Sequence, residues 1–136
     1  MAWVVDSNIL LDIALDDPAF RLGSMELLRR RRNRGLVVCP LTVVELGPSF
    51  DGDPFAIHEF LAALRVAPNQ SWTERDTASG CAAWSRYVAQ RRARQIIRRP
   101  IADVLIGSFA ERFDGLLTRN VADFRAVFPS LQIESP

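Results

Sequence analysis

The chain of 136 residues contains no lysine, and all 17 of its basic residues are arginine. Without lysine there is no Walker A phosphate clamp, no Schiff-base chemistry and no lysine general base. Histidine is almost absent as well. His58 is the single copy, which excludes a two-histidine ribonuclease mechanism within one chain and a histidine-rich zinc site. It lies in a helical stretch and is expected at the surface or its boundary. Cysteine is scarce: Cys39 and Cys81 stand far apart, belong to no CxxC pair and sit among apolar residues. Both are expected to be reduced core residues rather than a disulfide. Net charge is only +1, so charge argues neither for nor against nucleic acid. No apolar run approaches the roughly 18 residues of a membrane span. No basic region followed by an apolar signal core opens the sequence. Repeats, low-complexity tracts and linkers are also missing. A soluble cytoplasmic protein with one domain over residues 1–136 is therefore expected, and a 49% hydrophobic chain of this length can bury a sizeable core.

What is present alternates between short apolar runs and helical patterns. Ala2 to Val5 reads as a buried parallel strand that stops at Asp6. Ser7-Asn8 can cap a helix from Ile9 to about Leu15. A second helix is predicted from about Ala19 to Asn33, with Leu22, Met25, Leu27 and Leu28 as its apolar stripe and Gly35 as its stop. Leu36 to Cys39 reads as a strand, and Pro40 then starts a helix broken at Gly47-Pro48. Further helices are predicted over Pro54 to Leu64, Trp72 to about Arg94 (capped by Ser71 or Thr73), Ile101 to Phe113 and Val121 to Phe128. Arg65 to Ala67, Leu116 to Thr118 and Leu131 to Ile133 read as strands, and Asp114-Gly115 as a turn. The apolar face of the long helix, Ala78, Cys81, Trp84 and Val88, is expected in the core, and Trp72 and Trp84 in core or dimer contacts. The alternation predicts an α/β fold, a three-layer α/β/α sandwich around a mainly parallel sheet. Functional groups then belong at the carboxyl ends of the strands.

Four acids fall at such places. Asp6 follows the first strand, Glu45 lies in the helix after the second, Asp103 opens a later helix, and Asp123 follows the strand at 116–118. Taken singly, Asp6 reads equally well as a helix N-cap and Asp103 as a first-turn acid favoured by the helix dipole. Glu45 stands between Val43-Val44 and Leu46, where an unpaired carboxylate is costly and a shared cation is a simple remedy. Oxygen donors without cysteine or histidine suit Mg²⁺ or Mn²⁺. Such an ion neutralises phosphate charge and acidifies a bound water.

These residues resemble the motifs of PIN domains. Val4-Val5-Asp6-Ser7-Asn8-Ile9-Leu10-Leu11-Asp12 is similar to the family's opening motif, and Pro40-Leu41-Thr42-Val43-Val44-Glu45-Leu46 to its second. Pro100 to Ala110, around Asp103, is similar to the third. Leu116-Leu117-Thr118-Arg119-Asn120 with Asp123-Phe124 is similar to the fourth. Order and spacing span essentially the whole chain, and the size is similar to the VapC toxins of bacterial and archaeal toxin–antitoxin pairs. The resemblance implies a PIN-like fold and an endoribonuclease with Asp6, Glu45 and Asp103 as metal-binding acids. It implies that Ser7 and Thr118 orient these carboxylates and that Glu45 helps to activate water. Where the family often has a fourth acid, this chain has Asn120, which offers an amide oxygen. Asp123 lies one turn on, so the fourth ligand is Asn120, Asp123 or water. A homodimer and a small VapB-like antitoxin that blocks the site are further implications.

Arginines flank this centre. Arg29 to Arg32 with Arg34 end one helix, where a C-terminal dipole favours solvated cations. Arg98 and Arg99 precede Asp103, and Arg119 adjoins Thr118; these three are the candidate RNA-phosphate contacts. Other classes compete. A PIN ribonuclease that processes RNA without an antitoxin has the same motifs. A phosphoacceptor receiver expects a lysine, and an aspartate-nucleophile phosphatase expects an acid where Asn8 stands. A catalytically inactive nucleic-acid-binding module is the third class, favoured by Asn120 and opposed by the three intact acids.

Overall fold

Strand β1, Trp3–Val5, is buried on both faces and lies at the centre of the sheet. β2 (Leu36–Val37), β3 (Val66–Ala67), β4 (Gly115–Leu117) and β5 (Ile133–Glu134) complete it in the order β3-β2-β1-β4-β5, every pair parallel. The computed structural model describes residues 1–94 and 101–136. Its helices are α1 (Ser7–Ala14), α2 (Arg21–Arg31), α3 (Pro40–Glu45), α4 (Pro54–Ala63), α5 (Glu74–Arg94), α6 (Ile101–Ala110) and α7 (Val121–Val127). None of the described helices is long and apolar enough to cross a membrane.

The period-two alternation of the strands divides the core in two. Val4, Val37 and Leu116 face α5, α6 and α7, where they meet Ala83, Tyr87, Val104, Phe109, Phe124 and Phe128. Trp3, Val5, Leu36, Val38 and Leu117 face the other way, toward Ile9, Leu10, Leu27, Leu28, Ile57 and Leu61 of α1, α2 and α4. The expected α/β/α sandwich is thus the observed architecture. Gly115 is a strand residue rather than half of a turn: a Cβ there would lie 2.4 Å from the Gln132 carbonyl oxygen. Only glycine lets β4 and the segment before β5 approach so closely.

Several expected faces are displaced. In α2 the buried residues are Ser24, Leu27 and Leu28, whereas Leu22 (73% exposed) and Met25 (40%) point outward. In α5 the buried stripe is Asp76, Gly80, Ala83 and Tyr87, with Ala78 and Cys81 exposed and Trp84 and Val88 only half-buried. The reason is electrostatic. Asp76 enters the core because Arg112 grips both of its oxygens (2.9 and 3.0 Å), and that contact sets the helix's rotation. Cys39 is buried as expected, but Cys81 is not. His58 is exposed on α4, as expected. The last strand begins at Ile133 rather than Leu131 because Leu131 turns into the core beside Phe128.

Candidate active site at the carboxyl edge of the sheet

From β1 the chain steps to β2 and β3 on one side, and β4 and β5 lie on the other. The edge between β1 and β4 is therefore the point where strand order reverses, the usual crevice of a parallel α/β sheet. Asp6 leaves β1 there and Thr118 leaves β4. The pairing of Val5 with Leu117 sets them side by side, and the Asp6 N–H donates to the Leu117 carbonyl at 3.0 Å.

Asp6 is 3% exposed. Its Oδ1 accepts the Ser7 N–H at 2.8 Å and its Oδ2 accepts the Thr118 hydroxyl at 2.7 Å. It is thus the N-cap of α1, a place expected for Ser7-Asn8. Burial pushes its carboxyl above the usual carboxylate range. The Thr118 and Ser7 hydrogen bonds pull it back, and the charge of Asp103 raises it again. Glu45, the last residue of α3, is only partly buried. Burial first, then the charge of Asp6, raise its carboxyl above the usual value; the Ser7 hydroxyl hydrogen-bonds to it and opposes the shift, and Asp103 adds to it. The Glu45 Oε1 is buried without a hydrogen-bond partner among the described residues. Three carboxylates from three elements thus feel one another's charge in partly desolvated surroundings. Among the described residues, however, no three acid, cysteine or histidine side chains stand close enough to hold an ion as they are.

Asp103, in the first turn of α6, and Asp123, in the first turn of α7, line one small crevice with Val104, Phe124, Val127 and Phe128. Ser7 and Thr118 both hydrogen-bond to the carboxylates. Asn120 behaves differently: its side chain is exposed and makes no cap bond, and only its backbone N–H reaches the site, donating to Thr118 Oγ1 at 3.0 Å. Arg119 is already engaged. It forks both oxygens of Asp12 at 2.9 Å and stacks 4.0 Å over the Phe20 ring. Arg98 and Arg99 lie outside the described residues.

Two contributors went unassigned in the sequence. The Asn8 amide donates to Thr118 Oγ1 at 3.2 Å and accepts the Arg119 N–H at 3.3 Å. Asp12, also 3% exposed, holds Arg119. Their signal was an i, i+4 polar pair within the apolar run Ile9 to Ile13.

An all-oxygen donor set, a desolvated Asp6 and a Glu45 oxygen buried without a partner among the described residues fit a hard divalent cation. No family model matches the sequence, and no curated protein matches it. Among solved structures, a chain in the crystal structure of VapBC2 from Rickettsia felis bound to a DNA fragment from their promoter shares the fold. The TM-score is 0.66 with 18% sequence identity, over 99% of this chain and 98% of that one.

Proposed function

We propose that the chain is a metal-dependent endoribonuclease and the toxin member of a VapBC-type pair. The observation that carries this reading is a Glu45 oxygen buried without a hydrogen-bond partner among the described residues, on a carboxyl raised by burial and by the charges of Asp6 and Asp103. The solved VapBC2 neighbour supports the toxin assignment through its shared fold.

Asp6, Glu45 and Asp103 would hold Mg²⁺ or Mn²⁺, with Asp123 at the margin. Such an ion, when bound, neutralises charge on a phosphodiester and acidifies a water. The protein's own groups do the rest. Thr118 and the Ser7 N–H fix both oxygens of Asp6, so that carboxylate is held in one orientation. Glu45, more basic than an ordinary carboxylate, is suited to take a proton from the attacking water at Oε1. Asp103 comes from the first turn of α6. We assign RNA rather than DNA as substrate from the resemblance to PIN domains. Arg98 and Arg99 remain the proposed phosphate contacts, and a homodimer and a VapB-like antitoxin the proposed partners.

The test is cleavage of mixed RNA by the purified chain with Mg²⁺ or Mn²⁺, beside Asp6→Asn and Asp103→Asn. Each variant is expected to lose activity by about 10³-fold, the several kcal/mol that a metal's charge stabilisation represents. Undiminished cleavage in either variant, or in EDTA, refutes the mechanism.

A further inference from the structure

Between α2 and Asp6 runs a continuous series of polar contacts. The Ser24 hydroxyl donates to Asp12 Oδ2 at 2.7 Å, in a position with no exposure to solvent. Asp12 takes the Arg119 guanidinium in a two-point fork, with both distances 2.9 Å. This pins the segment that leaves β4, and the Arg119 backbone N–H then meets the Asn8 Oδ1 at 3.3 Å. That bond fixes which way the Asn8 amide faces, so its Nδ2 donates to Thr118 Oγ1 at 3.2 Å. The Thr118 oxygen accepts a second N–H, from Asn120 at 3.0 Å. With both lone pairs taken, its own proton has one direction left, toward Asp6 Oδ2 at 2.7 Å.

We propose that Asn8, Asp12, Ser24 and Arg119 are positioning residues that set the orientation of the Thr118 hydroxyl and, through it, of the Asp6 carboxylate. This rests on the nuclease reading of the site above. Asn8 and Asp12 are four apart on α1 and so share a face, one gripping each end of the same short segment. The geometry also makes Arg119 structural: its charge is spent on Asp12 and its role toward Asp6 is carried by its backbone. Lysine there would keep the charge and lose the planar fork.

The test uses the full chain with Asn8→Ala, Asp12→Asn and Arg119→Lys, each checked for an unchanged circular dichroism spectrum. Mn²⁺ binding is titrated calorimetrically, and kcat and KM for RNA cleavage are measured separately. Loss of outer contacts to metal-binding groups costs about 10–100-fold in metal affinity or activity. That fall is expected in all three, in Mn²⁺ affinity and in kcat, with KM for RNA unchanged. Mn²⁺ affinity and kcat equal to those of the unmodified chain overturn the proposal. If Asp12→Asn does not fold, Arg119→Lys and Asn8→Ala decide. If the unmodified chain neither binds Mn²⁺ nor cleaves RNA, the nuclease reading fails, and the chain of contacts is judged by the Asn8 side-chain amide protons. Slow solvent exchange of these protons, accelerated in Arg119→Lys, supports the positioning chain; the same exchange in both proteins overturns it.

Discussion

Replacing Glu45 with glutamine should stabilise the metal-free protein while removing its response to metal. Glu45 carries a buried Oε1 with no hydrogen-bond partner among the described residues, and the charges of Asp6 and Asp103 press on it. Glutamine keeps a polar atom there but removes the charge, whose unsatisfied burial costs more than the roughly 1–3 kcal/mol of a neutral polar group. Glu45 is only partly buried, so water screens part of that cost and the lower end, about 1 kcal/mol, is expected. In a chain of this size that corresponds to a melting point higher by about 4 °C in EDTA. The sign with pH follows from the raised pKa. Folding favours the protonated carboxyl, so the destabilisation is absent at low pH. It develops as pH rises from the ordinary value of 4.5 through the raised folded value. The gap between Glu45→Gln and the unmodified chain should therefore close below that range and be full above it. Metal reverses the ranking. At a hundredfold excess over Kd a bound ion adds about 2.7 kcal/mol to the unmodified chain, and the variant should gain much less. The assay is thermal unfolding at several pH values in EDTA and in excess Mn²⁺. A variant that melts lower in EDTA at neutral pH, or shows the full Mn²⁺ shift, refutes the reasoning.

Three further outcomes are open to direct measurement. Gly107→Ala would place a Cβ 2.2 Å from the Phe128 ring. Overpacking of that kind costs about 1–3 kcal/mol in denaturant unfolding, and a second change, Phe128→Leu, should recover part of it. Arg112→Ala leaves the Asp76 carboxylate, 1% exposed, without its partner, at an expected cost of about 3–5 kcal/mol. Burial raises Asp76, but the Arg112 and Thr73 hydrogen bonds outweigh it and hold the carboxyl below its ordinary 3.8. The pair's contribution is thus present above that value and lost as pH falls through the depressed one, and the cost of Arg112→Ala should shrink in acid. Finally, the exposed Cys81 should react with a thiol reagent in the native protein. Cys39, fully buried with its thiol pushed up to about 11, should react only on unfolding.

The layers were legible because apolar period carries them. Val4 and Val5 alternate between the two cores, and the helices between strands follow from their breaks at Pro18, Gly35 and Gly47-Pro48. Helix rotation was less legible, because it was decided by polar partners distant in sequence. Nothing near Asp76 reveals that Arg112 will admit it to the core, so the apolar pattern puts the buried stripe of α5 one step off. The same holds at the site. Asp6, Glu45 and Asp103 stand out as acids beside apolar runs, whereas Asn8 reads as a helix-capping residue until Thr118 arrives beside it on the neighbouring strand. Arg119, a candidate phosphate contact by composition, is held by Asp12 across 107 positions of sequence.

The three acids are not equivalent in what they ask of the fold. Asp6 has both oxygens satisfied by the protein and also caps α1. Its replacement by asparagine changes a helix start and the Thr118 contact together with the charge. Glu45 ends α3, caps nothing, and presents an oxygen that the described residues do not satisfy. Among the described residues its environment is incomplete, and it therefore reports on whatever completes it. Stabilisation by Glu45→Gln together with loss of cleavage would separate a functional cost from a folding error. Stability set aside at a site and supplied elsewhere by packing is the usual trade in enzymes. Here the supply would come from the two apolar layers on either face of β1.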